Sequence, residues 1–247
     1  TVPIPLPVPS PACVDARERK RQARAALGLP PDAPVILTVG STFKYKPSGD
    51  LDFVRTCEAI LEEMPDALLL AAGVQADARW SEGEQRTGGR LRALGRQTHA
   101  QLAVLHAAAD VYCEGFPFGS TTALLEAALQ GVPVVLAPAQ CPPPYGTDGV
   151  AVDEVLTRPE SLEDYRARIV HLAQQKPEAM ALGAALQAAV LRHHTGAGWL
   201  EHLHRVQSVA PDTHHARAIA APPRTPQAVH EYWFEFQNRW DWRWEGA

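Results

Sequence analysis

The sequence predicts an α/β fold, in which a Rossmann-like parallel sheet carries helices on both faces and further helices follow at the C-terminal end. Short apolar runs, such as residues 35–39 and 67–72, alternate along the chain with amphipathic stretches of helical period. The apolar runs are continuous, as in strands that are covered on both faces of a parallel sheet. Ligands of such sheets bind beyond the carboxyl ends of the strands, so the chemistry is expected in the loops at that edge.

Periodicity, together with helix-ending glycines and prolines, predicts the individual elements. A charged helix over residues 15–27 ends at Gly28 and precedes the first strand, residues 35–39. The polar, glycine-containing stretch of residues 75–89 is predicted to be a loop. The remaining helices are predicted over residues 51–64, 99–109, 121–130, 162–174, 177–193 and 199–206, and the remaining strands over residues 67–72, 110–113 and 132–136.

Three segments are expected along the chain. Residues 1–14 are a proline-rich linker or edge segment, expected to follow another domain, and residues 15–209 form the Rossmann-like domain. Residues 210–247 combine a Pro/His-rich connector with a C-terminal helix rich in tryptophan. Because apolar surface of that size is rarely left exposed, the tail is expected to pack against another surface.

Composition and charge disfavour several classes of protein. The net charge of -5 and the pI near 6.0 argue against the broadly basic surface of a nucleic-acid-binding protein. No apolar run approaches the roughly 20 residues of a membrane-spanning helix, so any membrane contact is expected to be peripheral. The four cysteines lack the spacing of a CxxC pair or metal site and indicate a reducing, cytoplasmic compartment. His202 and His204 diverge on a helix, and no metal or other cofactor is expected.

The segment of residues 114–126 carries the strongest signal for binding. It follows a strand and opens a helix, so free backbone N–H groups at the helix start are expected to face an anion such as a diphosphate. Gly119 allows a close backbone approach, and Ser120, Thr121 and Thr122 can add hydroxyl donors. Glu126 lies further along the helix, where a carboxylate can accept both hydrogens of a ribose diol. The alternative is a plain helix cap, with Ser or Thr at the N-cap and Glu as its capping-box partner.

A second loop follows the first strand and is predicted to lie at the same edge of the sheet. It begins at Gly40 and contains Lys44 and Lys46, either of which can neutralise a phosphate. The loop lacks the GxGxxG and GxxxxGK[ST] patterns, which excludes the usual dinucleotide motif and the P-loop. For either lysine alone, the alternative is a solvated surface charge.

The chain contains, in order, VG at residues 39–40, the two lysines, a second strand ending at Gly73, and the segments DVYCEGFPFG at 110–119, LLEA at 124–127 and GVPVV at 131–135. Together these motifs resemble the donor domain of retaining GT-B glycosyltransferases, family four in particular. The resemblance extends over residues 15–206. The resemblance implies a two-domain enzyme, of which this chain is the C-terminal half that binds a nucleotide sugar, UDP- or GDP-linked. The missing N-terminal domain would hold most of the acceptor site, and the Trp-rich tail would pack across the cleft.

The resemblance also implies roles for single residues. Lys46, or else Lys44, would contact the donor diphosphate beside Gly40, and Glu126 would hold the ribose. Glu114 would face the transferred sugar together with the loop that contains Phe118 and Gly119. The helix start at Ser120, Thr121 and Thr122 would cradle the diphosphate.

Two features depart from the family pattern. Ser41 follows Gly40 where the family usually has an arginine, and Glu114 and Glu126 enclose eleven residues where the family has seven. The longer loop resembles that of protein O-GlcNAc transferases. The predicted reaction is transfer of a sugar with retention, in which lysine and helix N–H groups stabilise the departing diphosphate. A nucleotide-sugar epimerase of the same fold and a non-catalytic binding module are the alternatives.

Overall fold

The computed structural model describes residues 5–8, 16–138 and 151–209, and a parallel five-stranded sheet is its central element. The strands are β1 (Val35–Val39), β2 (Leu68–Ala72), β3 (Leu91–Ala93), β4 (Val111–Cys113) and β5 (Val134–Val135). The helices of the described part are α1 (Ala16–Ala26), α2 (Phe53–Glu63), α3 (Ala78–Arg86), α4 (His99–Ala108), α5 (Thr121–Leu129), α6 (Leu162–Gln174), α7 (Lys176–His194) and α8 (Gly196–Val209). A 3-10 turn, Thr42–Tyr45, follows β1.

The strand order, β3-β2-β1-β4-β5, determines where a ligand can bind. The chain builds outward from β1 to β3 on one side, then returns to place β4 on the other side of β1. In a parallel sheet, such a reversal leaves a crevice between the carboxyl ends of the two central strands. The loops after β1 and β4 therefore border the same crevice.

Helices cover both faces of the sheet, as the continuous apolar strands predict. Neighbouring strand residues point to opposite faces, so Leu37 belongs to one buried cluster and Ile36 to the other. On one side α1 packs on α4 and α5 on α7, and on the other side α2 packs on α3 and α6. Leu37 and Ile36 are both 0% exposed, which shows that neither face of the central strand meets solvent.

The predicted loop of residues 75–89 is wrong, because part of it is the helix α3. The Asp77 carboxylate accepts a hydrogen bond from the backbone N–H of Trp80 and so caps the helix. Trp80 is 2% exposed, and Gly83 lets the helix approach Val54 and Leu91. A single buried stripe on an otherwise polar helix is a weak periodic signal, so the sequence pattern did not show it. The short strand β3 follows and was also not predicted.

The chain divides into two compact units, residues 1–203 and 204–247. Of the second unit the structure describes only residues 204–209, the end of α8, so the predicted Trp-rich tail lies outside the described residues. In the first unit, residues 5–8 of the proline-rich segment lie against the helical region. The backbone N–H of Val8 donates to the carbonyl of His194 at 2.9 Å, and the Trp199 indole donates to the Pro5 carbonyl at 2.6 Å. No helix among the described residues combines the length and apolarity that crossing a membrane requires.

Candidate active site

Two loops meet at the carboxyl ends of β1 and β4. We call residues 40–46 the lysine loop, and we call residues 115–120, which the family resemblance predicts to face the donor, the donor loop. A Cβ on Gly40 would lie 2.8 Å from the Tyr45 hydroxyl and 3.2 Å from Ser120 Oγ, so only glycine fits where the loops approach. The backbone N–H of Phe118 also donates to the Lys44 carbonyl at 3.3 Å. The strand order and these contacts bring the sequence-predicted residues of both loops together.

Lys44 is the lysine that reaches the donor loop. Its Nζ donates to the Gly119 carbonyl and to Ser120 Oγ, each at 3.0 Å. Burial lowers the pKa of the Lys44 ammonium, and the charge of Glu114 partly opposes that shift. Lys46 ends the turn and is exposed. A partly buried ammonium with hydrogens directed at the start of α5 favours an anion there.

The N-terminus of α5 completes the electropositive edge. Ser120 occupies the N-cap position, but its side chain makes no capping hydrogen bond to the helix. The Ser120 hydroxyl instead meets Lys44, so the predicted alternative of a capping box formed by Ser120 is wrong. Thr121 is half-buried and Thr122 is exposed. The unpaired N–H groups of a first turn carry partial positive charge and bind anions such as phosphate.

Glu126 lies on the second turn of α5 and is half-buried. Burial raises the pKa of its carboxyl, and the neighbouring His99 at the start of α4 opposes that shift. Glu126 thus lies about one helical turn beyond the first turn of α5, and its carboxylate can accept hydrogen bonds from hydroxyl groups.

Glu114 lies beneath the donor loop and is only 5% exposed. Its Oε2 accepts a hydrogen bond of 2.8 Å from the backbone N–H of Ala137, and Arg158 Nη1 lies 3.7 Å away. Any side chain at Gly119 would collide with Glu114 Oε1, so the loop passes directly over the carboxylate. Burial raises the pKa of the Glu114 carboxyl, while Ala137, Arg158 and Lys44 oppose the shift.

A buried aromatic cluster supports both loops from below. Tyr45 lies 4.8 Å from Phe53 and 5.5 Å from Trp80, measured between ring centroids, and Phe116 lies 5.1 Å from Phe53. The Tyr45 hydroxyl is 3.0 Å from Thr38 Oγ1. The cluster fixes the turn that carries Lys44 against the donor loop that carries Phe116.

Several of these supporting residues were not predicted from the sequence. Tyr45 stands between two lysines in a loop that was already a candidate, so its aromatic side chain was the available signal for an anchor. Arg158 and Tyr165 come from a later segment with no motif of their own. Tyr165 donates from its hydroxyl to the Glu114 carbonyl at 2.8 Å, a contact that only the folded chain brings about.

The described residues provide no metal centre of the usual kind. Residues 5–8, 16–138 and 151–209 contain no group of three or more His, Cys, Asp or Glu side chains arranged to hold an ion. His193 Nδ1 instead lies 3.2 Å from His202 Nε2, and His193 Nε2 pairs with Glu154. Cys57 and Cys113 are buried free thiols, whereas Cys13 and Cys141 lie outside the described residues.

A model of a known protein family matches the part of the chain that contains both loops. The family model for glycosyl transferases group 1 matches residues 33–175, which is more than half of the chain. The matched range begins just before β1 and ends just after α6, so it includes both loops and Arg158. A search of curated proteins finds no match.

Solved structures share the fold at low sequence identity. WaaG, a glycosyltransferase involved in lipopolysaccharide biosynthesis, is 19% identical with a TM-score of 0.60, over 83% of this chain and 55% of WaaG. A variant of the O-GlcNAc transferase of Thermobaculum terrenum is 20% identical with a TM-score of 0.56, over 72% of this chain and 35% of that one. HepE of Anabaena, solved with UDP and glucose, is 17% identical with a TM-score of 0.56, over 78% and 52%.

These likenesses confirm the predicted Rossmann-like fold class and the predicted resemblance to GT-B glycosyltransferases. The chain spans about half the length of WaaG and HepE and about a third of the O-GlcNAc transferase.

Proposed function

Because this chain belongs to the glycosyl transferases group 1 family, we propose that it binds a nucleotide-sugar donor as the donor half of a sugar-transferring enzyme. The observation that carries the proposal is the pair of hydrogen bonds from Lys44 Nζ to Gly119 and Ser120 at the start of α5. They combine a fixed cation with a helix N-terminus at the crevice between β1 and β4. A nucleoside diphosphate carries the charge and the size that such an edge recognises.

The proposed roles follow from the positions of the groups. Lys44 and the first-turn N–H groups, with Ser120, Thr121 and Thr122, hold the diphosphate, and Glu126 accepts hydrogens from the ribose. Phe118 and Gly119 border the transferred sugar. Lys46 is exposed, so we assign it an outer, auxiliary contact with the diphosphate. Glu114 is buried, and we assign it to supporting the donor loop from below.

The proposed chemistry uses fixed charge at the leaving group. Cleavage of the bond between sugar and diphosphate builds negative charge on the departing phosphate oxygen. Lys44 and α5 already face that position, so they stabilise the departing group without reorganising. We propose that the sugar is transferred with retention, as the family resemblance implies, and that no metal takes part in the step.

The donor base and the partner domain also belong to the proposal. HepE and TarM of Staphylococcus aureus were solved in complexes containing UDP, which makes UDP the first nucleotide to test, with GDP as the alternative. The chain covers about half of WaaG. We therefore propose that an N-terminal domain supplies the acceptor site. The buried free thiols Cys57 and Cys113 support a cytoplasmic location.

A thermal-shift and calorimetric screen tests the proposal. The protein is titrated with UDP, GDP and ADP and with a sugar conjugate of each. A specific donor raises the melting temperature by mass action, because it binds only the folded state. We expect UDP or GDP to stabilise the protein and ADP to have little effect. Absence of a shift with all of these nucleotides would overturn the proposed donor site.

A further inference from the structure

The buried carboxylate of Glu114 sits among a small set of charged and polar groups. Lys44 approaches from the turn after β1, and Arg158 approaches from the segment that precedes α6. The Ala137 N–H donates to Oε2. Tyr165 of α6 donates to the backbone carbonyl of Glu114. The pKa of the Tyr112 hydroxyl is raised by burial and, to a smaller extent, by the charge of the Glu114 carboxylate.

Arg158 is arranged to be the main counter-ion of that carboxylate. Its Nη1 donates to the Ala137 carbonyl at 2.7 Å and lies 3.7 Å from Glu114 Oε2, while the N–H of Ala137 donates to the same oxygen. Arg158, Ala137 and Glu114 therefore form a closed ring of contacts. Lys44 directs its hydrogens away to Gly119 and Ser120, and in the proposed function it neutralises the diphosphate.

An ionised Glu114 without a counter-ion would destabilise the fold and weaken the binding of an anion at the site. A buried charge without a partner is strongly unfavourable. The carboxylate also lies directly beneath Gly119, whose carbonyl shares Lys44 with Ser120. A net negative charge at this depth would repel an anionic ligand through a poorly screened medium.

We propose that Arg158 is a positioning residue of the donor site, which neutralises the buried Glu114 and holds it beneath the donor loop so that an anionic donor can bind above. This inference rests on the proposed function, since the anion is the donor diphosphate. Arg158 itself need not touch the donor.

Binding of UDP to Arg158→Gln, across pH, tests the inference. The ratio of its Kd to that of the unmodified protein at each pH cancels the protonation of UDP itself. At about pH 8 we expect a ratio of roughly ten, because an ionised Glu114 would lack its main counter-ion. Loss of Arg158 raises the pKa of the Glu114 carboxyl further, so lowering the pH protonates the carboxyl and brings the ratio toward one. Arg158→Lys, which keeps the charge, should recover most of the affinity.

A double-mutant cycle separates this role from a merely structural one. In a Glu114→Gln background there is no charge to neutralise, so adding Arg158→Gln should have a much smaller effect on the Kd than it has alone. Arg192→Gln, which breaks the exposed ion pair with Glu154, is the matched control and should leave the Kd unchanged. An Arg158→Gln effect that is independent of pH, or equal in both backgrounds, would overturn the inference.

Melting curves without nucleotide keep this test distinct from that of the proposed function. A carboxyl whose pKa is raised by folding destabilises the protein fully above that raised pKa, and the destabilisation is lost as the pH falls from there to the pKa of the unfolded chain. Arg158→Gln should therefore lower the Tm by about 5 °C near neutral pH and by less in acid. If the unmodified protein bound neither UDP nor GDP, the proposed function and the donor-site role of Arg158 would fail together. A Tm difference that does not change with pH would overturn the pairing itself.

Discussion

Lys44 is partly desolvated, unlike an ordinary surface lysine, because protein acceptors replace part of the hydration shell of its ammonium. Its Nζ holds the Gly119 carbonyl and Ser120 Oγ at 3.0 Å, and burial lowers the pKa of the ammonium. A partly desolvated cation interacts more strongly with a ligand anion than a solvated one. Lys46, two positions later, is exposed and retains its water.

The two lysines form a matched pair for mutation. Lys44→Ala should raise the Kd for UDP by about two orders of magnitude, since it removes a charged donor from a partly buried diphosphate site. Lys46→Ala should raise it by about threefold at most. Isothermal titration of both variants decides the assignment, and equal effects, or a larger effect for Lys46→Ala, would reverse it.

Glu126 makes a prediction about the sugar of the nucleotide. If its carboxylate accepts hydrogens from the ribose hydroxyls, the unmodified protein should bind UDP more tightly than 2′-deoxy-UDP. Glu126→Gln should lose about 1.5 kcal/mol of UDP binding, the typical value of a hydrogen bond to a charged group. The same variant should discriminate little between the two nucleotides.

The exposed Glu62, changed to Gln, is the control for this measurement. It should leave both affinities and their ratio unchanged. Persistence of the full preference for UDP in Glu126→Gln would remove the ribose role from this residue.

At the scale of single residues, the sequence predicts the groups that are local to a loop and misses those that meet by folding. Gly40, Lys44 and Ser120 were recognisable because glycine, lysine and hydroxyl residues follow strands, where ligands bind. Arg158 joins Glu114 from a distant segment, and no spacing rule connects the two. The burial of Glu114 was equally hidden, since it depends on the loop that covers it.

Among the structural elements, the 3-10 turn Thr42–Tyr45 determines where Lys44 points. Tyr45 at its end is 2% exposed and packs against Phe53 and Trp80. A Cβ on Gly115 would collide with the Tyr45 ring, so the donor loop is shaped to lie on it. The turn, α3 and the donor loop are thus joined through one aromatic side chain.

Tyr45 substitutions should separate packing from hydrogen bonding. Tyr45→Ala opens a cavity under both loops and should destabilise the protein by about 4 kcal/mol, within the range for large aromatic truncations. Tyr45→Phe keeps the ring and should lose only about 1 kcal/mol with the bond to Thr38. Urea unfolding curves give both values, and a similar loss in the two variants would contradict the packing role of the ring.

The elements that the sequence predicts well are those with a broad apolar face. The buried positions of β2 are all apolar, those of β1 are apolar except for Thr38, and α2 buries most of its first two turns. α3 buries only Trp80 and Gly83 within an otherwise polar sequence. β3, with three residues, is too short to show a periodic pattern of hydrophobic residues. Tertiary packing, rather than local pattern, stabilises these two elements.

For the molecule as a whole, the parallel sheet separates stability from binding at its two ends. The carboxyl ends of β1 and β4 carry the candidate site, whereas Asp110 stands at the amino end of β4 and organises the opposite edge. Its carboxylate accepts from Arg24 at 2.5 Å, from Lys20 at 2.6 Å and from the Val35 N–H at 2.7 Å. This single carboxylate ties α1 to the starts of two strands.

Arg24 tests that separation. Its side chain is 8% exposed and also donates to the Ala108 and Pro31 carbonyls, so Arg24→Met removes one of the two cations paired with Asp110 and the side-chain donor to both carbonyls. We expect a loss of about 3 kcal/mol in the free energy of unfolding, as for other broken buried ion pairs. The Kd for UDP, measured well below the melting temperature, should be unchanged, because the substitution lies at the opposite end of the sheet from the donor loop.

The control is Arg21→Met, which breaks the exposed ion pair with Glu18 on the same helix and should alter neither the stability nor the Kd. If Arg24→Met reduced the free energy of UDP binding as much as the free energy of unfolding, the two ends of the sheet would be energetically coupled. The position of the site at the carboxyl ends of β1 and β4 would then not by itself account for donor affinity.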